Sequence, residues 1–233
     1  MAARGKKYKK ALEFLSPDMT YTVPEAVELL EQTNTVKFDP TVEVHFTLNL
    51  DPKHQDQMIR TTASLPNGTG KTARICAFTD TVSAEDLKKA GAAEAGGDEL
   101  IADIEAGNVA LDFDDCVATP SMMRHLAKVA RVLGPKGLMP NPKTGTVGED
   151  LVAVVKDSAG GTCEFRTDKQ GNVHSIFGKL SFGKEKLEEN LNAFLQVIQD
   201  VKPTGAKGKY INSVFVCNAM GPGIKLDMSA DKK

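Results

Sequence analysis

From Thr41 to Leu50 the chain alternates polar and apolar residues without a break. Val42, Val44, Phe46, Leu48 and Leu50 interleave with Thr41, Glu43, His45, Thr47 and Asn49. Successive side chains of a strand point to opposite faces, so this segment has one dry face and one wet face. Such a strand belongs to an antiparallel or one-sided sheet rather than to a sheet buried between helical layers. The patterning then changes. Ala73 to Thr79 is a short, nearly continuous apolar run, followed by a helix with Ser83 as its cap and a stop near Gly91. A helical stretch from Asp98 to Ala106 and a strand ending at Cys116 to Ala118 come next, and Thr119-Pro120 has the cap-then-proline form of a helix start. Strands alternating with helices imply βαβ units and a parallel sheet.

After about Gly160 the one-sided style returns. Thr162 to Thr167 and Val173 to Lys179 flank a glycine-containing loop and read as a hairpin. Lys184 to Gln199 is an amphipathic helix with Leu187, Leu191, Phe194, Leu195 and Ile198 inward, and Tyr210 to Asn218 is a final strand. Near the start, Lys7 to Leu15 reads as a short basic helix, and Thr22-x-x-Glu25 is a capping box opening a helix with Ala26, Leu29 and Leu30 inward. The fold class is therefore mixed α/β and α+β: a split α+β domain interrupted by an α/β domain. The crossings fall near Pro66–Gly70 and Ala159–Gly161, which carry glycines suited to a hinge.

Charge separates along the same lines. The formal net charge is −2, which by itself does not suggest a nucleic-acid binder. Residues 1–68 with 161–233 hold nineteen bases against seventeen acids, or +2, whereas 69–160 hold ten against fourteen, or −4. From Arg131 to Val147 there are three bases and no acid, and from Val201 to Lys225 four bases and no acid. Local fields of this kind are hidden by the sum. No apolar run approaches the ~20 residues of a bilayer span, and no apolar stretch follows the basic MAARGKKYKK, so the expected location is the cytoplasm.

Enzyme chemistry finds little support. Asn67-Gly-Thr-Gly-Lys71-Thr72 suggests a phosphate loop, but Leu65 stands where its first glycine is required, and the strand follows the loop instead of preceding it. Cys76, Cys116, Cys163 and Cys217 lie far apart among β-formers and read as small buried hydrophobes. Asp112, Asp114 and Asp115 read as a solvated cluster at a strand entry. His45, His54, His125 and His174 have no spaced partner for metal binding or nucleophile activation. Neither catalytic residue, metal nor cofactor is expected. The competing reading, a nucleotide-binding α/β enzyme using the inserted domain, rests on fold style alone.

The most distinctive stretch is Arg131-Val-Leu-Gly-Pro-Lys-Gly-Leu-Met-Pro-Asn-Pro-Lys-Thr-Gly-Thr-Val147, whose prolines and glycines favour one compact loop presenting Lys136 and Lys143. Its GPKGLMPNPKTGTV core closely resembles a signature of the large-subunit ribosomal protein L-one family, bacterial type. So do KFDPTVEVHFTLNLDPKHQDQ, LPNGTGK, FRTDKQGNVHSIFGK, KPTGAKGKY and the closing MGPG, in unbroken order over essentially the whole chain. The resemblance implies a split domain holding both termini, an inserted Rossmann-like three-layer α/β domain, and a hinge. It also implies a cofactor-free RNA-binding protein that acts as a monomer within the large ribosomal subunit. Its partners would be the rRNA of the mobile stalk, the exit-site tRNA whose departure it assists, and the mRNA of its own operon, which it represses.

Carried over by position, the RNA-contacting residues implied are Lys37, Phe38 and Thr41; Arg166, His174, Ser175 and Lys179 on the hairpin; and Ser213, Met220 and Gly221 on the last strand and its turn. Lys136 and Lys143 are secondary candidates. Ala219 stands where the family usually has threonine, and Thr61 and Asn67 replace a usual glycine and histidine near the first crossing.

Overall fold

The computed structural model describes residues 5–16, 19–71, 73–80, 82–108, 111–206 and 208–228. Thr72 and Lys207 of the motifs above, and the first four residues of the basic N-terminus, lie outside them. The elements begin with α1 (Lys6–Leu12), α2 (Val23–Gln32), β1 (Thr41–Leu48) and β2 (Arg60–Ser64). Next come β3 (Ile75–Phe78), α3 (Ala84–Ala90), β4 (Ala92–Gly96), α4 (Asp98–Ala106) and β5 (Asp115–Ala118). Two short helices, α5 (Met123–Leu126) and α6 (Ala130–Leu133), precede α7 (Leu151–Ala159) and β6 (Thr162–Arg166). The chain closes with β7 (Asn172–Lys179), α8 (Lys184–Asp200), β8 (Ile211–Asn218) and β9 (Ile224–Lys225). Contacts divide it into two units: residues 1–70 with 163–233, and residues 71–162.

The discontinuous unit is built on an antiparallel sheet of order β7-β1-β8-β9. Its inner face carries Val42, Val44, Phe46, Leu48, Val173, Phe177, Val214 and Val216, all buried. Helices α2 and α8 close that face with Ala26, Val27, Leu30, Leu187, Leu191, Phe194, Leu195 and Ile198. Phe194 of α8 stacks on Phe46 at 5.6 Å and meets Phe165 at 5.1 Å. Burying such a side chain contributes about 1.5–3 kcal/mol. The alternation read in the sequence is realised: β1 alternates half-exposed and buried residues along its length. Helix α2 starts as expected, the Thr22 N–H donating to Glu25 Oε2 at 2.9 Å.

The hairpin expectation needs correction. Its arms diverge: β6 pairs with β2 and β7 with β1, and the two are joined across the turn by a Thr167–Val173 bridge and an Asp168 N–H to Asn172 carbonyl bond of 2.8 Å. Asp168 organises the turn by accepting from the N–H groups of Gln170 (2.8 Å) and Asn172 (2.7 Å). Gly171 has φ 80°, and a Cβ there would lie 2.9 Å from the Leu50 carbonyl oxygen. The loop is thus seated on the end of β1 and does not simply zip two strands together.

The central unit has three layers. A parallel sheet of order β4-β3-β5 separates two cores. One contains Ile75, Ala77, Val117, Leu87 of α3, and Leu151 and Val155 of α7. The other contains Phe78, Ala118, Ile101 and Ile104 of α4, and Leu126 and Leu133 of α5 and α6. Thr119-Pro120 does not start a helix. The Thr119 and Ser121 hydroxyls donate to the Asp80 carboxylate, at 3.1 and 2.7 Å, so Thr119 does not cap, and α5 begins only at Met123. Arg74 pairs with Asp112 and approaches Asp114, giving the acidic entry to β5 a structural partner. Cys76 and Cys116 are buried as expected, whereas Cys163 and Cys217 are only half-buried.

One buried amide ties the two sequence segments of the discontinuous unit together. Asn190 of α8 has no exposed surface. Its oxygen accepts from the Asn67 N–H at 3.0 Å, and its NH2 donates to the carbonyls of Gly68 at 3.0 Å and Phe177 at 2.9 Å. Asn67 adds a bond to Glu189 Oε2 at 2.8 Å. Asn190→Leu keeps the number and branching of heavy atoms but leaves these backbone groups unpaired, so urea unfolding should show a loss of about 2–4 kcal/mol. A loss below ~0.5 kcal/mol would mean that water replaces the amide there.

Candidate nucleic-acid interface

With α2 and α8 on its inner side, the sheet presents its other face as a strip of exposed and half-exposed side chains. Strand β1 contributes Thr41, Glu43, His45 and Thr47, β7 contributes His174 and Ile176, and β8 contributes Ser213, Phe215 and Cys217. Antiparallel register sets their neighbours. His45 lies opposite His174 and Phe215, Glu43 opposite Ile176 and Cys217, and Thr47 opposite Ser213.

At one end of this face the backbone holds two large apolar side chains in solvent. Phe38 is 56% exposed and Met220 77% exposed. The segment before β1 is pinned from behind: the Leu180 N–H donates to the Pro40 carbonyl at 3.1 Å, and the Ser181 N–H and hydroxyl donate to the Asp39 carboxylate. The turn after β8 is pinned to the same strand, the Ala219 N–H donating to the Thr41 carbonyl at 2.9 Å. Thr41 also lies opposite Lys179. Three backbone segments, carrying Lys37–Phe38, Lys179 and Met220–Gly221, therefore meet near the first residue of β1.

Met220 is the one described non-glycine residue with positive φ, at 67°. The Gly221 N–H closes the turn on the Asn218 carbonyl at 2.8 Å, and a Cβ on Gly221 would sit 3.2 Å from that oxygen. Asn218 itself is buried and donates to the Leu30 carbonyl. It is thus committed to the core and does not replace the hydroxyl that Ala219 lacks.

Other expected residues are placed differently. Exposed His174 and half-exposed Ser213 lie on the same face, farther along the strands. Ser175 is buried, with its hydroxyl 3.1 Å from Cys163 Sγ, so it faces away from this strip. Arg166 is exposed but ends β6, outside the four-stranded sheet. Lys136 and Lys143 are exposed in the central unit, on a loop packed about its own threonines. There Thr144 and Thr146 are buried and donate to the Asn141 carbonyl at 2.9 and 3.2 Å.

The centre of the face holds what the sequence did not reveal. His45 Nδ1 lies 2.9 Å from His174 Nδ1, and His45 Nε2 lies 3.3 Å from Cys217 Sγ and 3.7 Å from Glu43 Oε2. His45 and His174 do have spaced partners, contrary to the reading of isolated histidines. Burial, reinforced by neighbouring His174 and opposed by Glu43, holds the His45 pKa below its ordinary value and favours neutral imidazole. Burial, and secondarily Glu43, pushes the Cys217 thiol up to about 11. Glu43 and His45 were visible in the alternation, but the approach of Cys217 depends on a pairing of strands far apart in sequence.

A family model described as "Ribosomal protein L1p/L10e family" matches residues 29–222. The chain is 48% identical over 230 residues to the large ribosomal subunit protein uL1 of Thermobifida fusca (strain YX), covering 99% of this chain and 97% of that one. It is 50% identical over 227 residues to the uL1 of Streptococcus thermophilus (strain CNRZ 1066), covering 97% and 98%. Identity to the uL1 of Cutibacterium acnes (strain DSM 16379 / KPA171202) is 49% over 224 residues, 96% of each chain.

Left-handed backbone at an exposed methionine costs about 1–2 kcal/mol, and little burial offsets it. Met220→Gly should therefore raise the unfolding free energy by up to about 1 kcal/mol, after the greater entropy of glycine in the unfolded chain is deducted. Chemical denaturation checks this. Destabilisation would show that the methionine side chain, despite its exposure, holds the turn.

Proposed function

The chain belongs to the ribosomal protein L1p/L10e family, and on that premise we propose that the outer sheet face and its Phe38–Met220 corner bind rRNA of the large ribosomal subunit. The family is one of structural RNA-binding proteins, not enzymes. On this reading residues 1–68 with 161–233 act as one RNA-binding domain and 69–160 as an inserted domain. The RNA is the stalk element near the exit site. The same protein assists release of deacylated tRNA and represses its own operon mRNA through a mimic of the rRNA site. It works in the cytoplasm, in the large subunit.

The observation that carries the reading is the pair of exposed apolar side chains, Phe38 and Met220, on segments tied by backbone bonds to either side of Thr41, with Lys37 next to Phe38 in sequence and Lys179 paired with Thr41 in register. An aromatic ring kept in water with no core to fill is suited to stacking on an unpaired base, and lysines beside it meet phosphate. The methionine adds a flexible apolar contact to a nucleotide face. His174 and Ser213 extend the polar surface along the strands.

The central unit suits a nucleotide phosphate poorly. In its sheet the strand order reverses between β3 and β5, the place where α/β folds bind ligands. That place is lined by Asp80, Thr119, Pro120, Ser121 and Glu149, whose carboxylates repel phosphate. Lys136 and Lys143 are assigned a secondary contact with RNA of the assembled ribosome.

Titration of the full-length protein with stalk RNA tests the assignment. Phe38→Ala should cost about 1–3 kcal/mol, the value of one base–aromatic stack. Lys136→Ala with Lys143→Ala should cost less than ~1 kcal/mol, as exposed and screened contacts do. The reverse ranking would move the primary site to the 131–147 loop and overturn the proposal.

A further inference from the structure

We propose that Glu43, His45 and Cys217 form a binding site for a borderline divalent transition-metal ion, Zn2+ above all, on the outer face of the four-stranded sheet. The strands set the three donors. Glu43 and His45 are two apart on β1 and so share a face, and Cys217 of β8 stands directly opposite Glu43. One ligand atom from each, carboxylate oxygen, imidazole nitrogen and sulfur, lies within 4.8 Å of the others. A tetrahedral ion bonded at ~2.0–2.3 Å to such atoms separates them by about 3.3–3.6 Å. The two distances to His45 Nε2, 3.3 Å from Cys217 Sγ and 3.7 Å from Glu43 Oε2, already match those edges closely. The third edge, from Glu43 to Cys217, is within 4.8 Å.

The donor chemistry narrows the ion. Sulfur and imidazole with one carboxylate suit Zn2+ and its neighbours, whereas Mg2+ and Ca2+ require oxygen donors. Three protein ligands on a half-exposed face leave a fourth position for water or another ligand. A metal-bound histidine is normally oriented by a partner on its other nitrogen. Here that partner is His174: one tautomer lets His45 Nδ1–H donate to His174 Nδ1 at 2.9 Å while His45 Nε2 keeps its lone pair for the ion. His174 Nε2 in turn faces the Asp168 carboxylate at 3.6 Å. Burial opposes the charge on Asp168. Hydrogen bonds from Asn172, Gln170 and His174 outweigh burial and hold its pKa below the ordinary carboxylate value, so it is anionic near neutrality.

Binding balances simply: Zn2+ displaces the thiol proton of Cys217 to solvent and forms Zn–S, Zn–N and Zn–O bonds. The charge of the site rises from −1, on Glu43 alone, to zero. Removal of a negative charge from a face offered to phosphate is a consequence that rests on the RNA reading above. The metal site itself does not.

The test uses the reduced, full-length protein without RNA and Co2+ as a spectroscopic stand-in. One equivalent should bind with thiolate-to-cobalt charge-transfer absorption, and Zn2+ should displace it. Cys217→Ser should abolish that absorption, and Cys163→Ser should leave it unchanged. His174→Ala should weaken binding roughly 10- to 100-fold, as loss of an orienting partner does. A second readout needs no variant: Zn2+ should slow alkylation of Cys217 but not of Cys163, followed by peptide mass. Lack of thiolate absorption at saturating Co2+, its persistence in Cys217→Ser, or alkylation of Cys217 indifferent to Zn2+ would overturn the proposal.

Discussion

The position of β1 between β7 and β8 is the constraint on which the rest of the discontinuous unit depends. Its side chains alternate with period two, so a slip of one residue would send Val42, Val44 and Phe46 into water and Glu43 and His45 into the core. Burial of that apolar row beneath α2 and α8 therefore fixes the register with far more free energy than any polar contact on the other side. The outer face inherits its arrangement from this. His45 meets His174, and Glu43 meets Cys217, because the hydrophobic row beneath them has no alternative pairing. Irregularities are confined to the strand ends, between Val42 and Glu43 toward β7 and between Thr47 and Leu48 toward β8. The first of these adjoins Thr41, where Phe38 and Met220 are displayed.

Much of the architecture was legible because its strongest elements carry strong periodicity or explicit punctuation. β1, α8 and β8 follow their patterns to within one or two residues, and α3 and α4 end at Gly91 and Gly107 in left-handed backbone. The misses have physical causes. β4 is Ala-Ala-Glu-Ala-Gly, a poor strand sequence held by parallel pairing to β3. α7 contains three valines, which favour strands, and is secured by its Asp150 cap and by burial of Leu151 and Val155. The divergence of β6 and β7 depends on a pairing partner, β2, that carries no alternation of its own. At the candidate interface, resemblance pointed to Phe38 and Met220, and both side chains are exposed. Ser175 illustrates the limit of transfer by position, because strand parity turns its hydroxyl inward.

The electrostatics fit contact better than a global field. The chain carries −2 overall and residues 69–160 carry −4, with several acids there committed to local partners, such as Asp112 with Arg74 and Asp80 with Thr119 and Ser121. The discontinuous unit, at +2, has only a modest attraction for phosphate. On the proposed reading, stacking and close backbone approach supply a larger share of RNA affinity than counterion release, and the salt dependence of binding should be shallow. A carboxylate at the centre of the outer face is unfavourable for that purpose unless its charge is neutralised, as the proposed metal ion shared with His45 and Cys217 would do.

On this reading RNA recognition resides in the discontinuous unit, and it is tested by the affinity of residues 1–68, joined by a short linker to residues 161–233, for stalk RNA, measured over a salt series beside the full chain and residues 69–160 alone. The joined segments should retain most of the affinity of the full chain, with the same shallow salt slope. Binding by residues 69–160 as tight as that of the whole would contradict the account.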